Sequence, residues 1–334
     1  MYGITNAGGG SGTKSTLIIS IDSGSTVEVY SNSTYTTLIK TATEKTAGQF
    51  WVKGLDNGTY YLKATKSGQT ATMAYTIVEY GVYRLEMAYR SVPIFTYTGG
   101  TYEVVQDDDT VISDVTSYVG DWKIRFLTSG TLNFSRLISA EDGIDIFAVG
   151  GGGNGAKSYT SGSYVYAGGG GGGGYTETVL GASVVANNDY AITVGDALGA
   201  SSFGSLCSAN GGASASAGTG GSGGSGGGNA NGTNVGYAGG SDGNTPAHGG
   251  AGQGTTTREF GEANARLYAG GGSGGSYNAT SITAGADGGG GDGGNKNTAP
   301  KSGTANSGGG GGGSYTSTIA NGGSGIVIIR NARS

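Results

Sequence analysis

Asp145-Ile146-Phe147-Ala148-Val149-Gly150-Gly151-Gly152-Gly153 decides the reading of this chain. An apolar strand runs without interruption into four glycines, and a second apolar stretch, Gly325-Ile326-Val327-Ile328-Ile329-Arg330, follows the last glycines. Between the two lie further runs, Gly168–Gly174, Gly288–Gly291 and Gly308–Gly313. Two strands of like character at the two ends of one segment are expected to pair and close it. A flexible linker needs neither an apolar end nor apolar interior residues. This segment has both, the interior ones being Val179, Leu180, Val184, Val185, Ile192, Val194, Phe203 and Leu206.

Of the 75 glycines, 59 fall in the 186 residues from Val149 to Ser334, the proportion found in collagen. Collagen itself is excluded, because there is no Gly-X-Y period and the chain has only 3 prolines. Glycine without a Cβ can take the extended threefold helix, and such helices can pack at close range. Backbone N–H and C=O groups then bond between neighbouring helices. Seven glycines in that form span ~22 Å at ~3.1 Å each. The expectation is an ordered polyglycine-II lattice over 150–334, standing in for an apolar core.

Upstream, Leu17, Ile19 and Ile21 alternate with polar residues, as do Tyr60, Leu62 and Ala64, and Tyr83, Leu85, Met87 and Tyr89. This period of two marks strands with one buried face. Turn signals at Asp22-Ser23-Gly24, Leu55-Asp56-Asn57-Gly58 and Lys66-Ser67-Gly68 make 14–91 a small β-sandwich. Residues 1–13, with Gly8-Gly9-Gly10, read as a flexible leader. From Pro93, the strands around Trp122, Ile124 and Phe126 and around Ile144, Ile146 and Ala148 read as a β-rich collar over 92–149. The fold class is therefore all-β: a sandwich, a collar, and a glycine lattice closed by short strands.

Charge excludes several functions. Net charge is −5, and neither half has the dense Lys and Arg that phosphate backbones demand, so no nucleic-acid partner is expected. No stretch approaches the ~18 apolar residues of a membrane span, so no membrane insertion is expected. The N-terminus lacks a basic and apolar export signal, which predicts synthesis in the cytoplasm.

Catalytic patterns are weak. Gly151-Gly152-Gly153-Asn154-Gly155-Ala156-Lys157-Ser158 misses a phosphate-binding loop by one residue, and the segment after it has no helical character. His248 is the only histidine, and Cys207 the only cysteine, reading as a packed small hydrophobe. Asp107-Asp108-Asp109 with Asp114 lack the spacing of a calcium loop and read as a solvated turn. No catalytic residue, metal or cofactor is expected, and the chain is read as a non-enzyme. Arg258, Glu259, Glu262 and Arg266 read as an internal ion-pair brace.

What remains suits recognition. Tyr, Ser, Gly and Asn are the residues favoured in paratopes, and tyrosines recur between the glycine runs. The candidate receptor-binding residues are Tyr159, Tyr164, Tyr166, Tyr237, His248, Tyr277 and Asn278, with Tyr268 a further tyrosine of the same setting.

Four stretches carry a resemblance: the opening strand, the closing strand, Trp122-Lys123-Ile124-Arg125-Phe126-Leu127-Thr128-Ser129-Gly130-Thr131, and Gly252-Gln253-Gly254-Thr255-Thr256-Thr257-Arg258-Glu259-Phe260-Gly261-Glu262. Together they resemble the glycine-rich domains of phage tail proteins, across roughly 93–334. The resemblance implies a tail adhesin whose rigid glycine-rich head presents loops that bind a host cell-surface glycan or protein. It also implies a place in the virion tail among other tail proteins. Such tips usually cap trimeric fibres, which keeps a homo-oligomer among the expectations. The alternative is a purely structural virion part, such as a tail or capsid decoration protein.

Overall fold

A computed structural model describes residues 5–6, 14–66, 69–87, 92–115, 118, 120–136, 143–162, 164–231, 235–277 and 282–333. The described residues are all-β, with a single 3-10 turn at Glu259–Gly261.

The N-terminal residues form two facing sheets, as the alternation requires. One has the order Thr5–Asn6, Val82–Glu86, Ser15–Ser20, Gln49–Leu55, Thr43–Thr46, and the other Leu38–Thr41, Thr26–Tyr30, Gly58–Lys66, Gln69–Ile77. Leu17, Ile19, Tyr60, Leu62, Ala64, Tyr83, Leu85 and Met87 are buried together between them. Tyr89, Ser67 and Gly68 fall outside the described residues, as does most of the expected leader. Within that leader Thr5–Asn6 is an edge strand, antiparallel to Tyr83 and Arg84.

A second sandwich carries the glycine lattice. Its inner sheet runs Tyr102–Val105, Lys123–Phe126, Ile326–Asn331, Ile144–Val149, Thr176–Ala182, and its outer sheet Ile94–Thr98, Gly130–Arg136, Asp189–Thr193, Ser201–Phe203, Cys207–Ala209. The expected pairing of opening and closing strands is present, antiparallel, with Ile146 opposite Ile329 and Val149 opposite Ile326. The collar is not a separate layer. Its strands share both sheets with strands from 176–209 and 326–331, so the 149/150 boundary runs through the middle of a sheet.

Ile144–Val149 is buried on both faces, which is why it reads as a continuous apolar run. Ile144, Ile146 and Ala148 face the outer sheet with Ile124, Phe126, Val327 and Ile329. Phe147 and Val149 face the glycine region, against Phe260, Tyr268, Ile326 and Ile328.

The lattice has a period of three that can be read from its hydrogen bonds. Gly168, Gly171 and Gly174 donate to Ser314, Gly311 and Gly308. Gly169, Gly172 and Tyr175 donate to Ala217, Ala213 and Asn210, and Gly170 and Gly173 to Gly228 and Ser225. The carbonyls repeat the pattern with three further stretches: Gly168 and Gly171 accept from Gly275 and Gly272, Gly169 and Gly172 from Ala156 and Gly153, and Gly170 and Gly173 from Gly221 and Gly224. Residues 168–175 therefore form a threefold helix at the centre of six bonded neighbours, with every amide from Gly168 to Tyr175 and the carbonyls of Gly168 to Gly173 bonded to another stretch. The packing leaves no room for side chains. A Cβ on Gly171 would stand under 3.0 Å from the carbonyl of Gly153.

Candidate functional site: the distal tip of the lattice

The hydrogen-bond register gives the lattice two ends. Near the sheets, Gly150 bonds to Tyr175, Tyr175 to Asn210, and Gly174 to Gly308. Six to eight residues further along these helices, a second set of bonds closes the far end. Ser158 bonds to Thr316, Gly168 to Ser314, Gly275 to Gly168, and Gly274 to Tyr237. Tyr237 bonds to Asn229, Asn229 to His248, Ala230 to Gly218, and Ser276 to Gly294. The loops that sequence alone separates by more than 150 residues thus meet at one surface.

Most of the candidate residues stand on it. Tyr159 and Tyr166 face each other across a hairpin of Tyr159–Ser161 and Tyr164–Tyr166, their rings stacked at 5.3 Å and 23°. Tyr164 is in that hairpin by its backbone. His248 is exposed, with its ring 4.2 Å from that of Tyr237. Tyr277 is 43% exposed and meets Tyr315 edge-on at 5.0 Å, with the Lys296 ammonium 5.3 Å from its ring centroid. Asn278 lies outside the described residues. Val165, Val235, Ile282 and Ile319 add exposed apolar surface to the same loops.

Tyr315, Lys296 and Lys157 complete the tip and were not singled out by sequence. A signal for Tyr315 exists, since it follows an outward glycine run, 308–313, as Tyr277 follows 269–276. The inward run 168–174 ends instead in Tyr175, beside the sheet. Tyr268 differs from the other tyrosines. It is fully buried on the inner sheet and donates to Glu259 Oε2 at 3.0 Å, so it belongs to the scaffold.

The acidic turn and the 258–266 cluster form a brace at the opposite end. Lys123 Nζ reaches Asp109 Oδ1 and Glu259 Oε1, both at 2.8 Å, and Arg125 pairs with Asp109. Arg330 joins Asp145 at 2.9 Å and Glu262 at 2.6 Å, and its guanidinium lies 4.0 Å over the Phe260 ring. Arg258 pairs with Asp242, and Arg266 lies over Tyr268. The expected brace therefore exists, but it ties the 258–266 segment to charged residues of the inner sheet rather than to itself. The expected solvated turn is corrected in part: Asp107 pairs with Arg333, and Asp109 is drawn into the brace. A cleft of about 490 Å³ lies between the turn and Ala263–Arg266, lined by charges of both signs.

Burial pulls the Asp109 carboxyl upward, but hydrogen bonds from Arg125 and Lys123 outweigh it and hold its pKa below the usual value. A group with a depressed folded pKa stabilises above its unfolded value, about 3.9. That contribution is lost as pH falls through the folded value. Acid unfolding of the second sandwich should therefore set in below about pH 4, and Asp109→Asn should flatten that dependence. Denaturant midpoints between pH 5 and pH 2.5 measure it, and parallel curves for parent and variant would contradict it.

The two catalytic near misses are built into the scaffold. The amides of Gly151, Gly152 and Gly153 are committed to Gly199, Gly323 and Gly172, where a phosphate loop would keep them for its ligand. Cys207 is buried, and burial pushes its thiol up to about 12.

Comparison with curated proteins finds no match. A solved structure of a DUF3823 family protein from Parabacteroides merdae is 12% identical over 54% of this chain and 79% of its own. Its TM-score of 0.19 is too low for that likeness to bear on this fold. The family model described as "Glycine-rich domain" matches residues 128–332, the segment that builds the lattice and most of the sandwich beneath it, and the chain belongs to that family.

Proposed function

We propose that the distal tip is a receptor-binding surface, and that the protein serves as a bacteriophage tail adhesin. The observation carrying this reading is that Tyr159, Tyr166, Tyr237, His248 and Tyr277 converge at the end of the lattice remote from the sheets. A lattice that satisfies its own backbone holds these loops with little freedom, and a preordered surface loses less entropy on binding. Tyrosine offers a stiff amphipathic face, and the neighbouring Asn, Ser and Thr residues suit sugar hydroxyls. The resemblance of the glycine segments to phage tail proteins supports a virion setting.

The triple variant Tyr159→Ala, Tyr237→Ala, Tyr277→Ala tests it. It should fold, because these rings cover the tip rather than fill the core. Its affinity for host cells should fall at least thirtyfold, as for the loss of about 2 kcal/mol from aromatic anchors. A folded variant that binds cells like the parent would remove the tip from the proposal. Antibody labelling of virions separates the rival: label at the tail end fits an adhesin, and label over the capsid fits decoration.

A further inference from the structure

The chain is acidic overall, yet the carboxylates of its glycine region avoid the tip. The glycine region holds eight. Glu177 and Asp189 lie on strands, and Asp196 caps the turn to Gly199 beside them. Asp242, Glu259 and Glu262 belong to the brace. Asp287 stands next to Gly288, whose carbonyl is bonded by Gly270 near the sheet end. Asp292 comes nearest the tip, and Lys301 covers it at 2.8 Å.

The described stretches that meet at the tip are 157–162, 164–168, 214–219, 229–231, 235–237, 247–249, 276–277, 282–283, 295–299 and 314–319, and none contains Asp or Glu. They do contain Lys157, Lys296 and His248. Lys157 and Lys296 are both exposed. They flank one continuous strip: Lys157 precedes Ser158, which bonds to Thr316, next to Tyr315, whose ring meets Tyr277 beneath Lys296. Exposed lysines elsewhere on a protein are usually interspersed with acids, which limits single-sign fields. Here the cations stand alone among aromatic rings and amides.

The geometry points to an anionic glycan as the ligand of this strip, one whose sugar rings lie on the tyrosines while a carboxylate or phosphate meets Lys157 and Lys296. This rests on the tip being the binding surface. Opposite charge across an interface raises on-rate and discriminates against neutral competitors, whereas the stacked rings serve either kind of sugar. The chain's net charge of −5 would oppose a polyanion everywhere except where the carboxylates are missing.

The full-length protein should be applied to a microbial glycan array in which uronate-, sialate- and phosphate-bearing glycans stand beside neutral ones of matched length. Hits are expected on acid-bearing glycans. The double variant K157Q/K296Q should lose at least tenfold of that signal, and 0.5 M salt should weaken the parent likewise. The carboxylate and phosphate arms identify which anion is bound. If the strongest hits are neutral, or the double variant reads like the parent, the anionic assignment falls while the tip reading stands. If the parent binds no glycan yet still binds host cells through its tyrosines, the anionic assignment falls and the tip reading stands; if the triple tyrosine variant binds the array unchanged, both fall.

Discussion

Valine at position 171 should leave the second sandwich and its lattice unable to fold. Gly171 donates to Gly311 and accepts from Gly272, and a Cβ there would stand under 3.0 Å from the carbonyl oxygen and carbon of Gly153 and from the carbon of Asn154. Every one of those obstacles is backbone, so no rotamer change relieves the clash. Relief requires one helix to move, and with it the six-way bonding around 168–175. The cost should exceed the ~4–5 kcal/mol that marks an exceptional substitution. Ser161→Val, exposed in the tip hairpin, should cost within about 0.5 kcal/mol. Soluble yield and melting temperature distinguish the two. Equal melting for both variants would refute the close-packed lattice.

The next largest effect is expected at Glu259. It is 3% exposed and answers Lys123 at 2.8 Å, Arg125 at 3.7 Å and the Tyr268 hydroxyl at 3.0 Å. Glu259→Ala leaves two buried cations with Asp109 as their remaining carboxylate, and breaking a buried pair from one side costs about 3–5 kcal/mol. Lys301→Ala breaks the exposed pair with Asp292 and should leave stability close to that of the parent, because solvent screens such a pair. Replacing Lys123 and Glu259 together by Met should recover part of the loss, because the unpaired charge goes too. Trp122, buried beside Lys123, reports the transition by fluorescence in a Trp51→Phe background. A Glu259→Ala variant as stable as the parent would show that the brace contributes no stability.

The two predictions mark where sequence was readable. Pattern and composition were enough for Ile144–Val149 pairing with Ile326–Asn331, and for ordered glycine helices, because both rest on local chemistry. Lys123, Arg125, Asp145 and Arg330 were harder. Each is a charged residue inside an apolar strand, and alternation places it on a face without saying what covers that face. The cover, Glu259 with Tyr268, comes more than 100 residues away from Lys123 and Asp145. The sharing of sheets between 92–149 and 176–209 was hidden for the same reason. At the tip, residue types were legible but their convergence was not. Convergence depends on which runs travel outward, and a glycine run looks the same in either direction. Tyr268 was grouped with the tip tyrosines because its sequence setting matches theirs, although its run starts at the sheet.

The threefold period also governs how such a molecule can vary in length. One residue added inside 168–174 would rotate every later amide by about 120° and aim it at the wrong neighbour, whereas three added together would restore the aim and lengthen the helix by about 9 Å. No such arithmetic binds the loops beyond Ser158 or Ser276, where chain can be gained or lost without disturbing the bonds beneath. Related chains should therefore differ within their glycine runs in steps of three and at the tip in steps of any size. That leaves the contact surface free to change while the scaffold stays fixed.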